Sequence, residues 1–334
     1  GHVSVNDTQV PEVVLHDFKA DVATISMTGK GEARFLADST YLKAEASVDD
    51  CSVEDIIQYF GKNFLPEAMN LKTDAKISLT SLCDGYYNPA RGTLPELIAE
   101  LVLPKADVKY PGIPDGSVAA DINASTDNAG RLDISIDDMC LDFGGLDFDL
   151  TGTVSDVAGE DPMFDVEGLA YASLDEMMAF LPDSCGYRAS GELDALLTGK
   201  IRLSQMDPYN FYKAGLDGYI RSHSVALVSE ADSLYAWLGS PEIGVRTIAN
   251  KVDGSMPKGT KVMALTAKVD SLYATYGSDM TVRGSGVHAA AQNAAKIECK
   301  EHGSEHHPIV GSLELGKVFL SGADSLFAGV IGSE

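Results

Sequence analysis

Aromatic residues are scarce in this chain of 334 residues: Phe, Trp and Tyr make up 7% of it, and Trp occurs once. Large aromatic cages and stacking platforms for a ligand are therefore not expected. Cationic residues are also few, because 25 Lys and Arg stand against 50 Asp and Glu and leave a net charge of −25. Nucleic acids and anionic lipid headgroups both require clusters of Lys and Arg, so neither is expected as a partner. Binding of lipid tails depends on apolar area, and this composition is compatible with it.

Sequence signatures of membrane insertion and of catalysis are also absent. No run approaches about 18 consecutive apolar residues, and no charged segment followed by an apolar one marks a signal peptide. The chain has no G-x-S-x-G, H-E-x-x-H, P-loop or G-x-G-x-x-G pattern. Ser222-His223-Ser224 is suggestive of a hydrolase, but it lies in an alternating strand pattern. We therefore predict a non-catalytic protein without a cofactor. The opening Gly1 leads us to expect an excised piece whose anchor lies outside it.

The five cysteines are too widely and irregularly spaced for a small disulfide scaffold. Cys140 lies in an alternating apolar run, and we interpret it as a small core residue. A disulfide between Cys51 and Cys83, or between Cys83 and Cys185, is compatible with the sequence, which does not decide between them.

One segment gathers the residue types that bind transition metals, since imidazole, thiolate and carboxylate are the usual ligands. Its members are Cys299, His302, Glu305, His306 and His307. All of them come from one short polar loop, and structural zinc sites are seldom built that way. We therefore interpret the segment as a solvated loop and predict no metal site.

Alternation of apolar and polar residues is the clearest local signal, and it predicts a mostly β protein. Between residues 132 and 150, Asp137–Asp138 and Gly144–Gly145 separate three alternating runs. We interpret both pairs as two-residue turns of an antiparallel meander with one apolar face. The same pattern returns between residues 263 and 276. The apolar members of these runs are Leu132, Ile134, Ile136, Met139, Leu141, Phe143, Leu146, Phe148, Leu150, Met263, Leu265 and Val269.

A pattern of strand, turn, strand, short helix and strand occurs twice, at an offset of roughly 120 residues, which indicates a duplicated unit. Ser52 and Ser173 are the expected helix N-caps, each with an acidic residue three positions later. We predict a first β repeat unit over 1–104 with a helix near 52–65. A second unit over 105–214 has its helix near 173–181, and an antiparallel β region covers 215–334.

Two further features complete this organisation. A shorter motif, Asp-Ser-Leu-(Tyr/Phe)-Ala, occurs at 232–236, 270–274 and 324–328. Each copy is expected where one strand passes to the next. The proline-bearing segment 105–123 is expected to be a linker into the second unit.

The second repeat unit resembles the AsmA family, which is related to TamB. The likeness consists of L-x-G-x-V at 150–154, F-D at 164–165, a capped helix ending in F-L-P at 180–182, and S-G-x-L at 190–193. The repeated Asp-Ser-Leu-Tyr-Ala motif is also similar to sequences of large AsmA-like proteins. The resemblance covers most of the chain and is strongest from about residue 120 to residue 290.

This resemblance implies a long twisted antiparallel sheet, trough-like or sandwich-like, whose apolar floor binds or conducts lipid. It also implies a role in outer-membrane biogenesis, on the periplasmic side of the bacterial inner membrane, with lipid acyl chains as partners. The apolar residues named above would then line the groove. The same strands also fit a closed sandwich without a groove. A second hypothesis is an extracellular structural or adhesive β-repeat module that binds a protein.

Overall fold

A computed structural model shows a chain built almost entirely of β-strands. The structure describes residues 2–5, 11–22, 25–61, 70–112, 114–180, 186–206, 213–249, 261–278, 280–293, 297–298, 305–306, 309–322 and 327–331.

The strands in these ranges are mostly long. In the first half of the chain they are β1 (His2–Val5), β2 (Pro11–Val22), β3 (Ile25–Phe35), β4 (Thr40–Ser52), β5 (Lys72–Thr73), β6 (Lys76–Tyr87), β7 (Glu96–Lys109), β8 (Gly116–Thr126), β9 (Leu132–Phe143), β10 (Leu146–Ser155) and β11 (Met163–Ser173). In the second half they are β12 (Tyr187–Arg202), β13 (Gly215–Arg221), β14 (Ser224–Ser229), β15 (Leu234–Gly239), β16 (Glu242–Ala249), β17 (Lys261–Tyr276), β18 (Met280–Asn293), β19 (Ile297–Glu298), β20 (Glu305–His306), β21 (Ile309–Ser321) and β22 (Phe327–Ile331).

Helical structure in the described ranges is confined to short segments. These are α1 (Val53–Ile56), a π-helical turn (Ile57–Gly61), α2 (Leu174–Met178) and a 3₁₀ turn (Leu203–Gln205). The paired strands run antiparallel to one another, and β19 and β20 form a separate pair. The prediction of a mostly β, antiparallel protein with few short helices is confirmed.

Both predicted helix N-caps are confirmed. The Ser52 hydroxyl accepts a hydrogen bond from the backbone N–H of Asp55 at 3.2 Å, and α1 starts directly after it. The Ser173 hydroxyl accepts one from the N–H of Glu176 at 3.4 Å, ahead of α2. These bonds satisfy N–H groups that the first turn of a helix leaves without an intrahelical partner.

The chain divides into two compact units, which are described separately below. Unit 1 consists of Gly1–Phe143 and Asp149–Val166, and unit 2 of Gly144–Phe148 and Glu167–Glu334. The domain limits proposed from the sequence, at 104/105 and 214/215, stay predictions.

Unit 1 is an antiparallel meander. Its strands pair in the order β1, β2, β3, β4, β6, β7, β8 and β9, and the short β5 pairs with the end of β7. The linker expected over 105–123 is wrong, because this segment contains the end of β7 and the start of β8. Pro104 misled the prediction. It lies at an irregularity of β7, a place where a strand tolerates proline.

Four strands of unit 1 each contain one residue more than the neighbour they pair with. These β-bulges follow Leu15 in β2, Val48 in β4, Leu103 in β7 and Ile136 in β9. In each strand the apolar alternation slips by one position at the same point of the sequence. The extra residue cancels the slip, so aliphatic side chains before and after the bulge lie on the same face.

One bulge explains a wrong turn assignment. β9 runs without interruption through Asp137–Asp138, which we expected to be a turn. The Asp137 carboxylate accepts hydrogen bonds from the Asn123 amide at 2.9 Å and from the Ser135 hydroxyl, so its charge is satisfied within the sheet. The second expected turn, Gly144–Gly145, is confirmed and has φ values of 50° and 84°, which favour glycine.

In unit 2 the pairing of several adjacent strands is interrupted, and the interruptions lie side by side along a line that crosses the strands. It separates β13 from β14 at Ser222–His223 and β15 from β16 at Ser240–Pro241. In β17 and β18 it passes through Asp270 and Gly286, which are left out of the pairing. The apolar alternation changes phase here too. In β17, for example, it passes from Val269 to Leu272.

The copies of the Asp-Ser-Leu-(Tyr/Phe)-Ala motif have different positions. The first begins in the turn before β15, as expected. The second lies inside the continuous β17, so the prediction that a strand ends at this copy is wrong. These two copies lie on paired strands and meet at Ala236 and Ala274, and the rings of Tyr235 and Tyr273 lie 6.0 Å apart. The third copy begins outside the described residues.

Few apolar side chains are buried in either unit. Among the described residues, those of unit 1 are Cys51, Ala75 and Ala106, and those of unit 2 are Ile201, Ala214, Leu216 and Val262. A closed sandwich buries large side chains from two facing sheets. Neither unit shows such a core in its described residues.

A contact between β2 and β3 gives a test of this fold. A methyl group added at Gly29 would lie 2.6 Å from the Phe18 ring and closer still to the carbonyl oxygen of Glu45. At Gly31, on the same face, the nearest atoms would be 3.6 Å away or more. We expect Gly29→Ala to lower the stability of the protein by about 1–3 kcal/mol through overpacking. Gly31→Ala should be neutral or stabilising, because it reduces the freedom of the unfolded chain. Urea unfolding midpoints measure both changes, and equal shifts would contradict this packing.

Candidate functional site

The register of unit 1 gathers alternate side chains from seven neighbouring strands on one face. Two rows of directly paired residues cross these strands. The first row is Ala20, Met27, Val48, Leu79, Leu101, Ile122 and Ile136. The second is Phe18, Gly29, Ala46, Ser81, Ala99, Ala124 and Ile134. We call the face that contains these rows the apolar face. At the usual strand spacing of about 4.8 Å it is about 30 Å wide across the strands.

No Asp, Glu, Lys, Arg or His side chain from β2, β3, β4, β6, β7, β8 or β9 lies on the apolar face away from the bulges. The charged side chains alternate onto the other face, which we call the polar face. There Lys30 and Glu45 form an ion pair at 2.8 Å, and the hydroxyls of Thr28 and Ser47 are 2.9 Å apart. The two faces of unit 1 therefore differ sharply in chemistry.

Nothing among the described residues of unit 1 covers the apolar face completely. Most of its aliphatic side chains are half-buried, and Val22, Met27 and Leu97 are 59%, 36% and 39% exposed. Exposed apolar area of this extent is unusual for a monomeric soluble protein and is typical of a binding surface.

The twelve apolar residues chosen from the sequence have different positions. The six from Leu132 to Phe143 all lie on the apolar face, on both sides of the bulge in β9. Leu146, Phe148 and Leu150 alternate along β10, and the remaining three alternate along β17 in unit 2. None of the twelve is buried, and Leu146 and Leu265 are exposed. Their role as a groove stays a prediction.

The sequence reasoning missed the contributions of β2 to β8 to the apolar face. The signal was present, for example in β7, where Leu97, Ala99, Leu101 and Leu103 alternate before the bulge and Ala106 continues after it. Proline and charged residues at the bulges broke the pattern and hid it.

Cys140 is not a core residue, as we had interpreted it, but lies on the polar face opposite Ala119. Its thiol donates a hydrogen bond to Asp138 at 3.3 Å. Hydrogen bonds to Asp149 and Asp138 raise the pKa of the Cys140 thiol to about 12, because both carboxylates disfavour a neighbouring thiolate.

The described cysteines are free thiols, so a Cys51–Cys83 disulfide is wrong. Cys51 lies opposite Ile77, and Cys83 follows six residues later on β6. Their Cα atoms are therefore about 20 Å apart, whereas a disulfide needs about 4.4–6.8 Å. Cys185, the other proposed partner of Cys83, lies outside the described residues.

The Ser222 hydroxyl has a structural role. It is buried and donates to the carbonyl oxygens of Glu192 and Ser224, at 2.5 and 2.8 Å. Both carbonyl groups lie where β12 passes from pairing with β14 to pairing with β13, and the hydroxyl bridges this interruption.

No group of three or more His, Cys, Asp or Glu side chains that could hold a metal ion occurs in the described part of the chain. The side chains of the polar loop at 299–307 lie outside that part. None of the described helices has the length and hydrophobicity to cross a membrane.

Comparisons with known proteins give no relative of this chain. No family model, no curated protein and no solved structure matches it.

The environment of Cys140 predicts how fast its thiol reacts. With a pKa of about 12, its thiolate fraction at pH 8 is on the order of 10⁻⁴, against about a quarter for an ordinary thiol. We expect slow maleimide labelling of Cys140 in the folded protein and faster labelling in Asp149→Asn, since only the thiolate reacts. Asp142→Asn, on the same strand, is the control. Peptide mass spectrometry locates the label, and equal rates in all three proteins would refute this environment.

Proposed function

We propose that this chain is a non-catalytic AsmA-like module of the bacterial envelope that binds lipid acyl chains along its apolar face. The observation that carries the proposal is an uncharged, incompletely covered face formed by seven strands of unit 1. In this proposal the protein works on the periplasmic side of the inner membrane, through an anchor outside the chain, and takes part in outer-membrane biogenesis.

The chemistry of the apolar face favours acyl chains over other ligands. The backbone groups of its interior strands are paired within the sheet and do not bind a polar ligand. An acyl chain needs no directional partner, and each methylene that it buries contributes about 0.8 kcal/mol. The net charge of −25 opposes electrostatic attachment to anionic headgroups, so affinity would come from the tail.

The AsmA-like part of the proposal rests on the resemblance of the repeat pattern. Strands repeated around two short Ser-capped helices are consistent with it. An extracellular β-repeat module that binds a protein is the competing function, and it predicts no affinity for acyl chains.

Leu97 and Ile98 form a matched pair for a binding test. They are neighbours on β7, one on each face, and are 39% and 51% exposed. We expect Leu97→Gln to weaken the binding of a fluorescent fatty acid about fivefold, because about 1 kcal/mol of apolar contact is lost. Ile98→Gln should leave the dissociation constant unchanged.

Urea unfolding of both variants checks that neither substitution disrupts the sheet. Equal weakening by the two substitutions would contradict a site on the apolar face. A wild-type protein that binds no fatty acid, and carries no lipid in native mass spectrometry, would contradict the proposed function itself.

A further inference from the structure

The edge of unit 1 at β2 is only partly covered. β1 pairs with Pro11–Val14 of β2. From Leu15 to Val22, β2 pairs with β3 on one side, and no strand among the described residues of unit 1 pairs with it on the other. An edge of this kind presents unpaired backbone N–H and C=O groups to any strand that can align with it.

The last five residues of this open edge, Phe18-Lys19-Ala20-Asp21-Val22, are complementary to themselves. When two copies align antiparallel with Ala20 opposite Ala20, Lys19 of each copy lies opposite Asp21 of the other. On the other face, Phe18 of each copy lies opposite Val22 of the other. Opposite charges and apolar pairs directly across two strands both stabilise a sheet.

Three of these side chains are exposed, and Phe18 is half-buried with its ring against Gly29. Lys19 and Asp21 are 63% and 60% exposed, and within one copy they form an ion pair at 3.5 Å. Val22 is 59% exposed, among the highest values for a large apolar residue in the described chain. Each of these groups can therefore meet a second copy without rearrangement of β2.

We propose that two copies of this chain dimerise through their β2 edges, antiparallel and centred on Ala20. The contact is isologous, so one two-fold axis relates the two strands and closes the assembly. Because the axis is perpendicular to the sheet, the apolar faces of the two copies join on the same side. Charge complementarity favours a second copy over an unrelated peptide. A contact of this size gives a weak dimer, with a dissociation constant on the order of 100 µM.

Charge reversal tests the pairing by sedimentation equilibrium across this concentration range. Lys19→Asp places Asp opposite Asp, and Asp21→Lys places Lys opposite Lys, so each should raise the dissociation constant at least about tenfold. The double variant K19D/D21K restores opposite charges across the two-fold axis and should recover the wild-type value. A monomeric wild type at all concentrations, or a dimer unaffected by the single reversals, would overturn the proposal.

A cysteine at the axis gives an independent test. Directly opposite Cα atoms in an antiparallel pair lie about 4.5–5.5 Å apart, within the range of a disulfide. Ala20→Cys should therefore form a covalent dimer on mild oxidation. Ser125→Cys, an exposed position on an interior strand, should not. Equal cross-linking of the two variants would count against the proposed axis. Dimerisation is read out without lipid, so its failure and that of the proposed function are distinguishable.

Discussion

Backbone hydrogen bonding between neighbouring strands determines which side chains share a face, and most other features of this protein depend on that constraint. Because side chains alternate with a period of two, one misplaced residue would move aliphatic side chains onto the polar face. Unit 1 meets this constraint with one bulge in each of β2, β4, β7 and β9. The apolar face stays continuous across the unit as a result, and the charged residues collect on the opposite face or at the bulges.

The strand content and the two capped helices could be predicted because they depend on local chemistry. Alternation and a hydroxyl at the N-cap act within a few residues, and Ser52 and Ser173 both cap as expected. The bulges could not be predicted, because a polar pair such as Asp137–Asp138 has the composition of a turn. Only the register against β8 shows that the strand continues. Cys140 was assigned to the core, although the alternation of Met139 and Leu141 on either side of it already places it on the opposite face, where its thiol bonds to Asp138.

The apolar face and the β2 edge belong to the same unit but present different chemical groups. The face offers apolar side chains and no hydrogen-bonding groups, which suits an acyl chain. The edge offers hydrogen-bonding groups and a self-complementary charge pattern, which suits a second copy of the chain. If both proposals hold, dimerisation enlarges the surface that binds lipid without changing its chemistry.

Binding of acyl chains to one face of unit 1 can be measured by methyl NMR of Ile, Leu and Val residues with a spin-labelled stearic acid. We expect strong attenuation of the methyl signals of Ile122, Ile134 and Leu101 on the apolar face. The signals of Ile98 and Leu82, on the polar face, should be attenuated less, because paramagnetic broadening falls steeply with distance. Equal attenuation on both faces, or none on either, would show that acyl chains do not bind to the apolar face.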